Sequence, residues 1–163
     1  MSRLFGVLNG NSDLVLVALG ADAESVAPAV WVLAAYVVQL PPGASDADAL
    51  RTVLREVLNR GRDAALVTTL DDQALSAETV HRMVSAYCAA GDEIWAVVPE
   101  AGIGRGYPVL MGRRMIELFL RGEKWNAAAE ILSANVEHVL SLPAHDAATA
   151  ALTPGTGWKA PWD

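Results

Sequence analysis

The sequence contains little cysteine, lysine or histidine. Its single cysteine, Cys88, excludes a disulfide framework, and its place at an apolar helical position predicts a thiol in the core. Only Lys124 and Lys159 are lysines, and the net charge is −7. Because a nucleic-acid surface needs many basic residues, this composition argues against nucleic acid as a partner. The histidines are isolated and lack the spacing of a metal site.

Long apolar runs are also missing, although 53% of the residues are hydrophobic. The most apolar stretch, Val26 to Leu40, is interrupted by Pro28 and Gln39 and falls short of the ~20 residues that a membrane-spanning helix needs. We expect the first residues not to form a secretory leader, because their apolar run is short and interrupted. We therefore expect no membrane association and a cytoplasmic location. The apolar excess consists of Ala, Val and Leu, which predicts a sheet covered on both faces.

Strand-like segments alternate with helical segments, and the length of 163 residues predicts one domain, residues 1–163. Two amphipathic helices are predicted to begin after Ser45 and Ser76 and to end at Gly61 and Gly91. The predicted strands are Leu14–Leu19, Ala35–Leu40, Ala64–Thr69, Glu93–Val98 and Val136–Leu142. This order predicts βαβ units and a parallel, right-handed, three-layer α/β domain.

Other segments are less regular. Leu4–Leu8 is either a short helix or one arm of a hairpin that turns at Asn9-Gly10, and the helix is the preferred interpretation. Pro99–Pro108 is rich in turn residues and predicts a loop. Helices are predicted at Met111–Leu120 and Glu123–Ala134. The tail after Thr153 has no periodicity, and its tryptophans are expected to dock on the fold or on a neighbouring subunit.

Two carboxylates follow the most regular buried strand. The apolar run Ala64–Thr69 ends in Leu70, Asp71, Asp72 and Gln73. Ligands of open α/β sheets bind at the carboxyl ends of the strands, and two carboxylates there can hold Mg²⁺ together with substrate phosphates. A turn that leads into the next helix explains the same residues, and the pattern alone favours the turn.

The loop Gly102–Pro108, GIGRGYP, is a second candidate site. Its glycines allow close approach of a ligand, Arg105 supplies a cation, and Tyr107 offers a stacking face. The loop lacks the strand–loop–helix order of a phosphate-binding fingerprint. A flexible hairpin loop is therefore the default interpretation of this segment.

Together, three segments resemble the MobA-like NTP transferase family, the nucleotidyltransferases of the molybdenum cofactor. SDLVLVALGADAESV resembles a family strand that ends in glycine, DAALVTTLDDQALSAETV resembles the strand ending in Asp-Gln-Pro-Leu, and GRGYPVLMGRRMIELFL resembles the Gly-His-Pro segment. They occur in family order between Ser12 and Leu120. The resemblance implies a three-layer αβα, Rossmann-like fold of the nucleotide-diphospho-sugar transferase type. It also implies Mg²⁺-assisted transfer of a nucleotide from a triphosphate to a phosphorylated acceptor.

The resemblance assigns candidate roles by position. Asp72 corresponds to the Mg²⁺ ligand of the Asp-Gln-Pro motif, and Asp71 is the second metal candidate. The candidate nucleotide- and acceptor-binding residues are Gln73, Arg105, Gly106, Tyr107 and Pro108, with Tyr107 in place of the usual histidine.

The departures from the family pattern concern its charged groups. The family opens with a strand and a glycine-rich loop carrying Arg and Lys, and this sequence is expected to begin after that loop. Ala74 stands where the motif has proline, and Leu152-Thr153-Pro154 stands where the family has Asp-Thr-Pro. If the family's sheet order holds, the first strand lies in the middle of the sheet, so its neighbours either pair directly or leave edges for another chain.

These departures predict a degenerate nucleotidyltransferase-like domain, catalytically inactive, that acts as an interaction or ligand-binding module with a protein partner or as a homo-oligomer. The alternative is a Mg²⁺-dependent nucleotidyltransferase that transfers CTP or GTP to a molybdopterin-type acceptor. That enzyme would work weakly or with a completing partner.

Overall fold

The computed structural model describes residues 2–20, 23–31, 35–69, 75–101, 104–105, 108–122 and 128–143. The helices are α1 (Ser2–Asn11), α2 (Ala23–Trp31), α3 (Asp46–Asn59), α4 (Ala77–Ala89), α5 (Arg113–Arg121) and α6 (Ala128–Ala134). The strands are β1 (Leu16–Leu19), β2 (Tyr36–Gln39), β3 (Ala64–Val67), β4 (Ala96–Ala101), β5 (Gly104–Arg105), β6 (Val109–Gly112) and β7 (Val139–Pro143). Short 3-10 helices, Gly91–Glu93 and Val136–His138, stand before β4 and β7.

Helices α3 and α4 form where the sequence predicts them. The Ser45 hydroxyl accepts a hydrogen bond from the Asp48 N–H, and the Asp48 carboxylate accepts one from the Ser45 N–H. Ser76 caps α4 with its side chain in the same way. The chain leaves the two helices through Gly61 and Gly91, whose φ angles of 71° and 69° favour glycine.

The N-terminal segment is helical, so the helix interpretation of Leu4–Leu8 is confirmed. Phe5 is buried against Val15, which directly precedes β1, and against Val17, which lies in β1. Leu4 is buried against Val80 of α4. Helix α1 therefore packs against both β1 and α4.

The strands form two sheets. Strands β1 and β2 pair in parallel. The second sheet has the order β3-β6-β4, with β7 beside β4 and β5 paired to the end of β4. Strand β4 is parallel to β7 but antiparallel to β6, and β6 is also antiparallel to β3. The prediction of an all-parallel sheet is therefore wrong, because β6 runs against both of its neighbours.

The prediction for the segment that contains strand β6 is also wrong. A helix is predicted over Met111–Leu120, whereas Val109–Gly112 is a strand and α5 follows it. All four residues of β6 are buried, since the strand lies between β3 and β4. The prediction of a loop over Pro99–Pro108 is wrong for part of the segment, because residues 99–101 continue β4 and Gly104 and Arg105 form β5, which pairs back on the end of β4.

Several element boundaries differ by a few residues from those expected. Strands β4 and β7 begin three residues later than predicted, because a 3-10 helix occupies the start of each segment. Within the predicted helix Glu123–Ala134, residues 128–134 are helical and residues 123–127 lie outside the described residues. The tail after Thr153 also lies outside them.

Helices cover the larger sheet on both faces, as a three-layer α/β fold requires. One face packs against α3, α5 and α6 through Ala96, Val98, Val109 and Met111. The opposite face packs against α4 through Val97 and Leu110. In the described part of the chain, no helix is both long and apolar enough to cross a membrane.

Candidate functional site

A cavity of about 810 Å³ lies between β1 and β3, the facing strands of the two sheets. Residues of these strands form its side walls, α3 covers one face, and α1 and α4 cover the other. The lining side chains include Leu50, Val53 and Val57 of α3, Leu4 and Leu8 of α1, and Val80 and Val84 of α4. This inter-sheet cavity is therefore a gap within the sheet layer itself, with helices above and below it.

An ion pair stands at the end of the inter-sheet cavity where both strands begin. Arg62 precedes β3 by two residues, and its guanidinium lies 3.0 Å from the carboxylate of Asp13, which precedes β1 by three. Both side chains are exposed, so the pair contributes only about 0–1 kcal/mol to stability. The pair places the starts of β1 and β3 at the same end of the inter-sheet cavity, and because both strands line the cavity from that end onward, they run in the same direction.

The opposite end of the inter-sheet cavity is polar. It is lined by Asp46 in the first turn of α3 and by Thr68 and Thr69 directly after β3. At this end the chain continues in sequence toward Asp71 and Asp72. The C-terminal ends of parallel strands are where ligands bind in α/β sheets, so this is the end at which chemistry is expected.

Helix α4 presents a mixed surface to the inter-sheet cavity. Burial raises the pKa of the Tyr87 phenol above its usual value of 10.0. Cys88 also lines the cavity and is exposed, so the prediction of a core thiol is wrong. Val84 of the same apolar stripe is 36% exposed. The stripe extends past the edge of the larger sheet and faces the cavity, where no strand of the described chain covers it.

The structure describes few of the predicted site residues. Asp71, Asp72, Gln73, Gly106 and Tyr107 all lie outside the described residues.

Two predicted site residues can be placed. Arg105 lies in β5, where its backbone pairs opposite Glu100 of β4. Pro108 is buried directly before β6. Because β3 and β4 are parallel, the end of β3 and the β4–β5 hairpin lie at one edge of the sheet.

A metal centre cannot be assembled from the described residues alone. Among them, no three His, Cys, Asp or Glu side chains are close enough to hold an ion. Asp71 and Asp72 have the oxygen donors that Mg²⁺ prefers. A metal role for these two carboxylates stays a prediction from the sequence.

Of the two outcomes expected for a sheet without the family's first strand, direct pairing and open strand edges, the structure shows the second, because β1 and β3 do not pair. The inter-sheet cavity itself was not predicted. Two signals pointed to it: Val84 and Cys88 widen the apolar stripe of α4, and two buried-type strands lacked an obvious partner between them. Neither signal is specific, because a wide stripe is also typical of a helix buried against more than one neighbour.

The mixed sheet of β3, β6, β4 and β7 between two helix layers defines a three-layer, Rossmann-like α/β domain. The sequence model of the MobA-like NTP transferase domain matches residues 2–145. The chain belongs to this family.

Solved structures show the same fold. Rv0371c from Mycobacterium tuberculosis, crystallised as a complex with manganese, is 19% identical with a TM-score of 0.70, over 88% of this chain and 73% of that one. The 4-diphosphocytidyl-2C-methyl-D-erythritol synthase of Anaerococcus prevotii is 10% identical with a TM-score of 0.65, over 90% and 78%. Molybdopterin-guanine dinucleotide biosynthesis protein A of Archaeoglobus fulgidus is 15% identical with a TM-score of 0.51, over 77% and 62%. No curated protein matches the chain by sequence.

Proposed function

We propose that this nucleotidyltransferase-like domain does not transfer nucleotides by itself and acts as an interaction module. The observation that carries the proposal is the division of the strands into two sheets. No described strand lies between β1 and β3, and a cavity occupies the space between them. A module of this kind works through a protein partner or a second copy of the chain, in the cytoplasm. The apolar surface around the inter-sheet cavity gives such a partner a place to bind.

The chemistry of nucleotidyl transfer supports inactivity of the isolated chain. Such transfer depends on positioning and on neutralising phosphate charge, and the loss of one electrostatic contact commonly costs ~10²-fold in rate. In the described residues, the arginine that lines the inter-sheet cavity is Arg62, and Asp13 already pairs with it. The sequence also places Leu152 where the family has a second acidic ligand.

A second function is favoured by family membership. In this alternative, Asp72 and Asp71 hold Mg²⁺, and Gln73, Arg105 and the segment Gly106–Pro108 contact CTP or GTP and a molybdopterin-type acceptor. The manganese complex of Rv0371c supports a divalent ion for that relative. In this alternative the chain would work weakly or with a completing partner.

Isothermal titration with CTP and with GTP, each with and without Mg²⁺, tests the two functions. We expect no metal-dependent binding and no pyrophosphate release by the isolated chain. Metal-dependent binding accompanied by pyrophosphate release, lost in Asp72→Ala and retained in Asp92→Ala, would overturn the inactive assignment. Asp92 is a matched control because it precedes β4 and so lies at the opposite end of the strands from the segment that follows β3.

A further inference from the structure

The β1 edge of the inter-sheet cavity carries backbone groups directed into it. On the β2 side, the carbonyls of Val15 and Leu19 accept hydrogen bonds of 2.9 Å. Bonding directions alternate along a strand, so Leu16 and Ala18 direct their N–H and C=O groups away from β2. Those groups face the inter-sheet cavity.

The β3 edge presents a matching row. Gly112 of β6 donates to the β4 side at 2.8 Å. The next residue, Met111, therefore bonds to β3, where its register partner is Ala65. The residues flanking that partner, Ala64 and Leu66, direct their N–H and C=O groups the opposite way, toward β1. Two rows of strand donors and acceptors thus face each other across one cavity.

The inter-sheet cavity has the size of a short strand. A residue in a packed strand occupies about 160 Å³, from a rise of about 3.3 Å, a strand spacing of about 4.8 Å and a layer separation of about 10 Å. The volume of about 810 Å³ therefore holds about five residues. The long Arg62 side chain reaches Asp13 across the start of the cavity, as it can when one strand separates β1 from β3.

We propose that the inter-sheet cavity is the docking site of a β-strand from a separate polypeptide. The occupant is an extended apolar segment of about five residues that pairs in parallel with β1 on one side and β3 on the other. This proposal rests on the interaction function proposed above and names the class of partner. Paired in this way, the segment completes one continuous sheet.

The lining specifies the chemistry of that strand. Apolar side chains of α3 lie on one face of the cavity and those of α1 and α4 on the other, so both faces of the incoming strand are apolar. Asp46 lines the end where the strand leaves, and the chain carries a net charge of −7. Basic residues flanking the apolar segment complement this charge. The docked strand also covers Val84 and Cys88 of α4.

Hydrogen exchange with a synthetic peptide tests the proposal. The probe is acetyl-Lys-Ala-Val-Val-Val-Ala-Lys-amide, added to the 163-residue chain. We expect the amides of Leu16, Ala18, Ala64 and Leu66 to exchange at least tenfold more slowly, because the peptide pairs with them. The outer edge of β2 should be unaffected. Absence of protection with the peptide in millimolar excess overturns the proposal.

Backbone-methylated peptides separate strand pairing from apolar binding. N-methylation of alternate residues removes the donors toward one neighbour and keeps every side chain. We expect each of the two alternating methylation patterns to weaken binding at least tenfold, because the central strand bonds on both sides. Equal binding of the methylated and unmodified peptides shows a cavity that only accepts apolar groups, and this overturns strand docking.

Two proline variants repeat the test from the protein side. Ala18→Pro removes an N–H that faces the inter-sheet cavity, whereas Gln39→Pro removes one at the outer edge of β2. We expect at least tenfold weaker peptide binding for the first variant and no change for the second, with folding checked by circular dichroism. If Ala18→Pro does not fold, the methylated peptides decide the question with the unaltered chain.

The docking proposal and the proposed function fail in different ways. Metal-dependent turnover of CTP or GTP by the chain alone refutes its inactivity, whatever the peptide does. Missing protection refutes strand docking and leaves the inactivity of the isolated chain intact.

Discussion

Gly112 lies under the ring of Tyr87, and this contact predicts a substitution whose effect changes sign. The backbone of Gly112 is extended, with φ −80° and ψ 168°, so an alanine can adopt it. By itself, Gly112→Ala should therefore stabilise the fold by about 0.4–1 kcal/mol, because it restricts the unfolded chain. However, the added Cβ overlaps the Tyr87 hydroxyl and lies 2.7 Å from the ring carbon Cζ.

The ring of Tyr87 must move to make room for this methyl group. Forced repacking of this kind costs about 1–3 kcal/mol, so we expect Gly112→Ala to lower the free energy of unfolding by about 1–2 kcal/mol. In a Tyr87→Ala background the overlap is gone, and the same substitution should stabilise. Urea unfolding of the four proteins, followed by circular dichroism, measures the coupling.

A substitution that destabilises equally in both backgrounds refutes the reasoning, since the cost then does not come from the ring. Tyr87→Phe serves as the intermediate control, because it removes the overlapping hydroxyl and keeps the ring carbons. With Phe at this position, the cost of Gly112→Ala should fall between the two extremes.

Three further predictions concern stability. Leu54→Ala should cost about 3 kcal/mol in urea unfolding, because Leu54 is fully buried and its loss enlarges an existing cavity; a cost below about 1 kcal/mol contradicts this burial. Ser76→Ala should cost about 1 kcal/mol through the lost cap of α4, and Ser76→Asp should restore most of it in thermal melts. Hydrogen bonds from Ser45 lower the pKa of Asp48 below 3.8, so its stabilising effect is complete above that pH and is lost as the pH falls through the lower folded value. Asp48→Asn should flatten the stability profile below about pH 4, and an unchanged profile argues against the capping box.

The sequence predicted the elements whose signals are local. The stripe of α3 and its Ser45 cap lie within a few residues of each other, so helix position follows from adjacent residues alone. Strand β6 could not be found in this way. Its four apolar residues fit a strand or a helix equally, and its insertion between β3 and β4 depends on segments far away in the chain.

The candidate site is also only partly readable from local sequence signals. The position of Asp71 and Asp72 after a buried strand is readable from sequence, since it needs only the order of residues. The inter-sheet cavity is not readable from residue patterns, because it arises from a pairing that β1 and β3 do not make; only the sheet order of the family indicated open edges there. An absence of pairing leaves no pattern of its own in either strand.

The separation of β1 and β2 from the larger sheet affects how the molecule unfolds. A two-stranded sheet is marginal on its own and depends on the helices packed against it. Here α1 and α2 pack against the two strands, α3 contacts β1, and α1 also packs against α4. We therefore expect the first part of the chain to open at a lower free energy than β4, β6 and β7, whose pairing is continuous. Whatever completes the sheet thus also sets the cooperativity of the fold, by making two units into one.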